Sequence, residues 1–149
     1  MSLIEKITKD IMAAMKNHES DKLDALRAIK SALLLAQTEG SAKKELTEDD
    51  ELKVLQRLYK QRIESAEIYN NNNRTDLANI ELSQAAIIKT YLPAQLSDEE
   101  IENEVKKVIN DLNATSIKDM GKVMGVVSKS LAGKADNATI SNIVKKLLS

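Results

Sequence analysis

The sequence predicts an all-α protein, and three features of its 149 residues lead to that fold class. Four glycines and a single proline provide few turn residues for a sheet of many strands. Hydrophobic residues make up 42% of the chain but aromatic residues only 2%, so the core must be aliphatic. Apolar residues also recur every three or four positions along most of the chain, which is the pattern of amphipathic helices.

The first part of the chain, residues 1–92, is predicted to fold as a domain of about four helices. Ser2 and Glu5 have the spacing of a capping box, and Thr47 and Asp50 repeat it, so a helix is expected to begin after each pair. The periodic stretches place the helices at about 3–17, 21–37, 48–70 and 75–91.

Three breaks interrupt or end these helices. Gly40 and Ser41 predict a loop, and the consecutive asparagines at Asn70–Asn73 favour a turn, because asparagine side chains compete for backbone hydrogen bonds. Pro93 ends the fourth helix, since proline disfavours helical geometry in the residue before it. We therefore expect a domain boundary at Pro93.

The second part, residues 93–149, is predicted to form a small domain of three helices. Ser97 and Glu100 again have capping-box spacing and open the first of these helices, and a turn is expected at 113–116. The periodic stretches that follow place the other two helices at about 118–131 and 138–148.

The composition excludes several kinds of site. The chain has no cysteine, so disulfides, thiol catalysis and cysteine-bound metals are excluded, and no metal or cofactor is expected. His18 is the single histidine, and its place in a predicted turn favours an exposed residue over a catalytic base. Residues 1–10 have mixed charge, and no apolar run approaches about 18 residues, so we expect a cytoplasmic protein without a membrane partner.

A basic face is predicted on the third helix, where positive side chains recur at helical spacing. Lys53, Arg57 and Lys60 share one side of that helix, and Arg27 and Lys30 form a similar pair on the second helix. Such a face can neutralise RNA phosphates. Acidic residues on the same helix can pair with it, however, so the residues alone favour a solvated surface. We call these five residues the first basic face.

Charge is distributed unevenly within the second part of the chain. From 98 to 111, six acidic residues and two lysines sum to −4, whereas from 116 to 149, six lysines and two aspartates sum to +4. Two interpretations stay open: the opposite charges pair internally, or the lysines contact an RNA backbone. The six lysines are Lys118, Lys122, Lys129, Lys134, Lys145 and Lys146.

Two glycines in the helix expected at about 118–131 suggest a close approach to its backbone. Gly121 and Gly125 share one side of the helix, and a glycine inside a helix costs about 1 kcal/mol relative to alanine. Either another helix packs closely on this side, or a nucleic-acid backbone approaches it beside Lys122 and Lys129. The residue types alone favour packing, because small residues commonly serve close contacts.

The sequence offers no pair of residues with the logic of a nucleophile and its base. Glu81, in the middle of the fourth predicted helix, is expected to be the salt-bridge partner of an arginine such as Arg27, Arg62 or Arg74. We therefore expect no catalytic residue in this chain.

Several stretches resemble the GatB/YqeY family, and they occur in the family's order. In the second part they are YLPAQLSDEEIE at 91–102 and KDMGKVMGVVSKSLAGKADNATISNIVKKLL at 118–148. In the first part they are AAMK at 13–16, DKLDALRAIKSAL at 21–33, KQRIESAEIY at 60–69 and RTDLANIE at 74–81. The chain as a whole resembles the stand-alone YqeY-like proteins, which are similar to the C-terminal tail region of GatB, a component of the aspartyl/glutamyl-tRNA amidotransferase.

The resemblance implies a helical domain followed by a smaller one, and a role linked to tRNA. In the amidotransferase the tail region helps to hold the tRNA, while parts that have no counterpart in this chain perform the chemistry. Carbon–nitrogen ligase activity with glutamine as amide donor is therefore expected of the large enzyme, and this chain is expected to be a non-catalytic tRNA-binding module. The alternative is a protein-interaction module that docks on amidotransferase or synthetase components. The oligomeric state stays open.

The resemblance also favours particular residues. It supports RNA contact by the six lysines together with Gly121 and Gly125, and it supports the first basic face less. The family pattern tends to have glycine where Asn113 and Asn137 stand in this chain. Asparagine is the next-best residue for a left-handed turn, so we expect both turns to persist.

Overall fold

The computed structural model describes residues 2–39 and 45–149, and every regular element in those two ranges is helical. The predicted all-α fold class is confirmed. The loop predicted at Gly40 and Ser41 lies outside the described residues. The α-helices within the described ranges are α1 Leu3–Lys16, α2 Ser20–Gln37, α3 Glu48–Asn71, α4 Thr75–Lys89, α5 Asp98–Leu112, α6 Met120–Ser130 and α7 Asn137–Leu148.

The helix expected at about 118–131 begins with a tighter turn than the sequence pattern indicated. A single 3₁₀ turn, Ile117–Asp119, precedes α6. The Asp119 carboxylate accepts hydrogen bonds from the backbone N–H of Thr115 at 3.0 Å and of Ser116 at 3.4 Å, and these bonds fix the turn. The same two hydrogen bonds lower the pKa of Asp119 from its ordinary value.

Capping boxes begin three of the helices, as the spacing predicted. In each box the hydroxyl of the capping residue accepts a hydrogen bond from the backbone N–H three residues later. The acidic side chain of that later residue in turn accepts a hydrogen bond from the backbone N–H of the capping residue. Two of the backbone donors at the helix start are thereby satisfied. The pairs are Ser2–Glu5 at α1, Thr47–Asp50 at α3 and Ser97–Glu100 at α5.

Backbone contacts divide the chain into two compact units, Met1–Leu92 and Pro93–Ser149. In the first unit α3 and α4 form a long helical hairpin, and α2 packs against both of these helices and against α1. The aliphatic core expected from the composition fills the space between the four helices. Its fully buried members include Ile7, Leu26, Ile29, Leu33, Leu55 and Ile88.

Small residues and one ion pair hold together the part of the α3–α4 hairpin that lies beyond this core. Ala66 of α3 and Ala78 of α4 are buried there. Arg62 Nη1 lies 3.4 Å from Glu81 Oε2, and 28% and 18% of the two side chains are exposed. Of the three arginines considered from the sequence, Arg62 is therefore the one that pairs with Glu81.

A tyrosine ties the residues after α4 to α1. The Tyr91 hydroxyl donates a hydrogen bond to Asp10 Oδ2 at 2.6 Å, and Lys6 Nζ lies 5.4 Å from the centre of the Tyr91 ring. Burial, and next the Asp10 carboxylate, raise the pKa of Tyr91 above its ordinary value. The start of α1 has its own tertiary contact, because Glu51 Oε2 accepts a hydrogen bond from the Leu3 backbone N–H at 3.0 Å.

Replacing Tyr91 with phenylalanine is expected to lower the free energy of unfolding by about 1 kcal/mol near neutral pH, because the hydrogen bond to Asp10 is lost. A phenol whose pKa rises on folding contributes stability that is complete below its ordinary pKa of 10.0 and is lost as the pH rises toward the folded value. Wild type should therefore lose more stability than the variant between about pH 7 and about pH 11. Urea unfolding at both pH values measures this, and equal losses would contradict the prediction.

In the second unit α5, α6 and α7 all contact one another. The backbone N–H of Leu96 donates to the Lys134 carbonyl at 3.0 Å, and Gln95 Nε2 donates to the Gly133 carbonyl at 2.7 Å. The segment before α5 is thereby fixed to the loop after α6. The fully or almost fully buried side chains of this core include Ile101, Val105, Val123, Val127, Ile140 and Val144.

The two asparagines expected in left-handed turns behave differently. Asn113 follows α5 with φ 54° and ψ 37°, so the prediction is confirmed there. Asn137 is already the first residue of α7, so the left-handed turn expected at Asn137 is wrong. In the loop between α6 and α7 it is Gly133 that has a positive φ, of 76°, which glycine adopts at little cost.

Candidate nucleic-acid interface

The outer side of α6 carries both glycines and two of the six lysines. Val123 and Val127 are fully buried in the core of the second unit, so they determine which side of the helix faces outwards. At about 100° per residue, the exposed positions other than Ser130, the last residue of the helix, fall within an arc of about 140°. We call this surface the α6 face, and its exposed residues are Gly121, Lys122, Gly125, Val126 and Lys129.

Nothing in the described chain packs on the two glycines of the α6 face. A Cβ atom added at Gly121 or Gly125 would meet no atom within 4 Å, apart from its chain neighbours and the backbone of its own helix. The helix packing that the sequence favoured is therefore wrong for the described residues. The physical reason is that the core contacts of α6 are made by its valines, on the opposite side of the helix. The backbone of α6 is left open to an external molecule.

The six lysines between residues 116 and 149 are all exposed, and none of them forms an ion pair with a described residue. Two lie on the α6 face. Lys118 lies in the 3₁₀ turn before α6, and Lys134 lies in the loop after it. Lys145 and Lys146 belong to the last turn of α7. Their positive charge is available to an anion.

The acidic helix α5 has other partners. Glu102 pairs with Lys106 of the same helix at 3.3 Å, and Glu104 Oε1 accepts a hydrogen bond from the Ser130 hydroxyl at 3.0 Å. Among the described residues, α5 and the six lysines form no ion pair, so the internal pairing considered from the sequence is not found there. The positive charge of Lys122 contributes to lowering the pKa of Asp119, but less than the backbone hydrogen bonds from Thr115 and Ser116 do.

Val126 is a member of the α6 face that the charge and glycine patterns did not single out. Its side chain is 43% exposed. Helical spacing was the signal that could have identified it, because Val126 lies one turn after Lys122. The α6 face therefore combines positive charge, open backbone and one apolar side chain.

The first basic face is partly neutralised by acidic neighbours. Lys53 pairs with Asp49, one turn earlier in α3, at 3.0 Å, although 68% and 54% of these side chains are exposed. Arg57 lines a shallow groove that Asp50 also lines. The remaining members are Arg27 and Lys60, which are exposed, and Lys30, which is half-buried.

The other residues considered from the sequence are not assembled into a reaction centre. His18 is exposed in the turn after α1, with φ 55°. Across residues 2–39 and 45–149, no group of three or more His, Asp or Glu side chains is placed to hold a metal ion. None of the helices described is both long enough and apolar enough to span a membrane.

Known proteins are similar to this chain over most of its length. The family described as Yqey-like protein matches residues 4–148. The protein named "Altered inheritance of mitochondria protein 41, mitochondrial" from Clavispora lusitaniae is 30% identical over 132 residues, which are 87% of this chain and 74% of that protein. The protein of the same name from Meyerozyma guilliermondii is 26% identical over 129 residues, which are 85% of this chain and 67% of that protein.

The cytoplasmic location expected from the sequence is corrected by these relatives, because both are named as mitochondrial proteins. The expectation depended on the mixed charge of residues 1–10 and on the absence of a long apolar run. Neither property distinguishes a protein of the cytoplasm from one inside an organelle, so the two locations could not be separated on that basis.

Proposed function

This chain belongs to the Yqey-like protein family, and we propose that it is a tRNA-binding accessory protein with no catalytic chemistry of its own. The observation that carries the proposal is the set of six exposed lysines without ion-pair partners among the described residues, two of them beside the open glycines of the α6 face. A surface of this kind suits a polyanion whose backbone approaches the helix closely.

The energetics of such a contact are electrostatic. Each lysine that neutralises a phosphate releases a condensed counterion, so affinity decreases as salt concentration increases. Structured RNA is recognised largely through the shape and backbone of its helices, which a helix face with charged side chains can follow without reading base sequence. The formal net charge of the chain is −1, so we expect weak binding that depends on the local charge of +4 at residues 116–149.

The proposal is tested by measuring the affinity of the full chain for bulk tRNA across a series of salt concentrations. Replacing Lys122, Lys129 and Lys134 together with glutamine is expected to weaken binding and to reduce the slope of log K against log salt by about 2–3, since up to three phosphate contacts are lost. Fluorescence anisotropy of labelled tRNA provides the measurement.

A matched control separates a local site from a general effect of charge. Replacing Lys9, Lys89 and Lys107 with glutamine removes the same charge from three other positions, on α1, α4 and α5. This control should bind tRNA with a slope close to that of wild type. Equal losses in both triple variants would contradict the assignment of the contacts to Lys122, Lys129 and Lys134.

Two further outcomes would overturn the proposal itself. If the chain binds no tRNA even at the lowest salt concentration, the lysines serve another partner, and a protein complex that survives nuclease treatment would identify the interaction module considered from the sequence. If the purified chain releases ammonia from glutamine, a non-catalytic role is wrong.

A further inference from the structure

A groove with a volume of about 380 Å³ lies in the second unit, where the end of α5 meets the end of α7. This volume is within the range of small-molecule sites, which is roughly 300–1,000 Å³. Neither the six lysines nor the glycines of the α6 face line it. Its main lining residues are Lys106, Ile109, Asn110, Asn113, Thr115 and Leu147.

The left-handed turn at Asn113 forms one wall of the groove. Because φ of Asn113 is 54°, the chain reverses after α5, and the Ala114 backbone N–H donates to the Ile109 carbonyl at 3.0 Å. The Thr115 backbone N–H then donates to the Asp119 carboxylate at 3.0 Å, which fixes the next residue of the wall. Leu147 of α7 supplies the opposite side.

The lining combines apolar side chains with free amide groups. Ile109 and Leu147 are half-buried and supply apolar surface. The side-chain amides of Asn110 and Asn113 make no hydrogen bond to any residue that the structure describes. Two amides beside an apolar surface are suited to a flat ligand that has both a hydrogen-bond donor and an acceptor on its edge.

The charges at the groove disfavour an anion. Helices α5 and α7 both end there, and the C-terminal end of a helix carries partial negative charge. The one cation that lines the groove, Lys106, is already paired with Glu102 at 3.3 Å. Lys145 and Lys146 lie in the last turn of α7 but do not line the groove, so a phosphate group meets no unpaired cation in the lining, whereas an exocyclic amino group can donate to this end of the helices.

We infer that this groove holds one unpaired base of the bound RNA that carries an exocyclic amino group, and adenine is the base with which we test it. The inference deepens the proposed function and depends on it. Adenine presents the N6 amino group as a donor and N7 as an acceptor, and an asparagine amide can bind both at once. Its flat ring can cover Ile109 and Leu147, while the RNA phosphates stay outside the groove, toward the lysines. Uracil also has a donor and an acceptor on its edge, but it lacks an exocyclic amino group that could donate to the carbonyl ends of α5 and α7, so the groove should prefer adenine to uracil.

The test uses neutral nucleosides, because they probe the groove without involving the lysines. Adenosine and uridine are titrated separately into the ¹⁵N-labelled full chain and followed by NMR. We expect adenosine to shift the amide signals of residues 109–115 and 147 with a dissociation constant in roughly the millimolar range, as suits a shallow open groove. Uridine should bind several-fold more weakly. Equal binding of the two nucleosides, or adenosine shifts confined to other residues, would overturn the inference.

Two variants address the amides directly. Asn110→Leu removes one amide while keeping a good helix former, and Asn113→Gly removes the other while keeping the positive φ. Each should reduce adenosine affinity at least several-fold. Asn103→Leu, at an exposed position on the same helix, is the matched control and should bind adenosine as wild type does. Unchanged adenosine binding in both groove variants would also overturn the inference.

Hexa-adenylate distinguishes RNA from a free nucleoside as the source of the base. It should compete with adenosine for the same signals and bind more tightly; failure to compete would exclude an RNA base. The inference and the proposed function fail separately. If tRNA binding depends on the lysines while adenosine leaves the groove unperturbed, only the inference is wrong. If no tRNA binds at all, the proposed function is wrong and the inference with it.

Discussion

Replacing Gly121 and Gly125 together with alanine should make the protein more stable and make it bind tRNA more weakly. Alanine is favoured over glycine by about 1 kcal/mol at an interior helix position, and less near a helix start, where Gly121 lies. The added Cβ atoms meet no atom within 4 Å, so they introduce no strain. We expect the free energy of unfolding to rise by about 1–2 kcal/mol, measured by urea denaturation.

The loss of affinity has a steric cause. Two methyl groups would stand between the α6 backbone and a molecule that approaches it, and the lysines beside them could no longer reach the same phosphates. A loss of about tenfold corresponds to about 1.4 kcal/mol of binding free energy. The measurement is the anisotropy titration with labelled tRNA at one fixed salt concentration.

A control for this pair is Asn142→Ala, which improves helix propensity at an exposed position of α7. It should increase stability slightly and leave tRNA affinity unchanged. If the double glycine variant also binds tRNA as wild type does, the close approach to α6 is wrong, although the lysines could still be the RNA contacts.

Replacing Ile140 with alanine is expected to remove much of the stability of the second unit and to weaken tRNA binding. Ile140 is 0% exposed in that core, and removing a buried isoleucine side chain costs about 2–5 kcal/mol. Residues 93–149 make up a unit of 57 residues, for which a total stability of about 3–9 kcal/mol is typical. The cost is therefore comparable with the whole stability of the unit.

Native-state hydrogen exchange, resolved by peptide, measures the two units separately. In Ile140→Ala, protection should decrease in residues 93–149 and stay unchanged in the first unit, as the predicted domain boundary at Pro93 requires. Leu26→Ala, at a position with 0% exposure in the first unit, is the converse variant and should leave tRNA binding in place. If Ile140→Ala instead reduces protection equally in both units, the two parts are one cooperative domain and that boundary is wrong.

The features that could be predicted from the sequence are those determined by neighbouring residues. Apolar spacing identified the helices because a helix buries one side, and the core positions Ile29, Val105 and Ile140 follow from it. The capping boxes depend on two residues three positions apart, so Ser97 and Glu100 were sufficient to place the start of α5. The low aromatic content alone implied an aliphatic core.

Only the tertiary structure decided which surfaces are covered. Spacing puts Gly121 and Gly125 on one side of a helix, but whether that side is packed depends on where α5 and α7 lie, and they contact the valines instead. Likewise, the sequence shows that α5 and the six lysines carry opposite charges. Whether they form ion pairs depends on their positions in three dimensions, and among the described residues they form none. The groove at Asn110 and Asn113 exists because the fold places the end of α5 next to Leu147 of α7, which lies far along the chain. Local patterns specify helices and their buried sides, because those depend on a few consecutive residues. Open faces, ion pairs and grooves depend on contacts between residues far apart in the chain, and the spacing of residue types carries no information about such contacts.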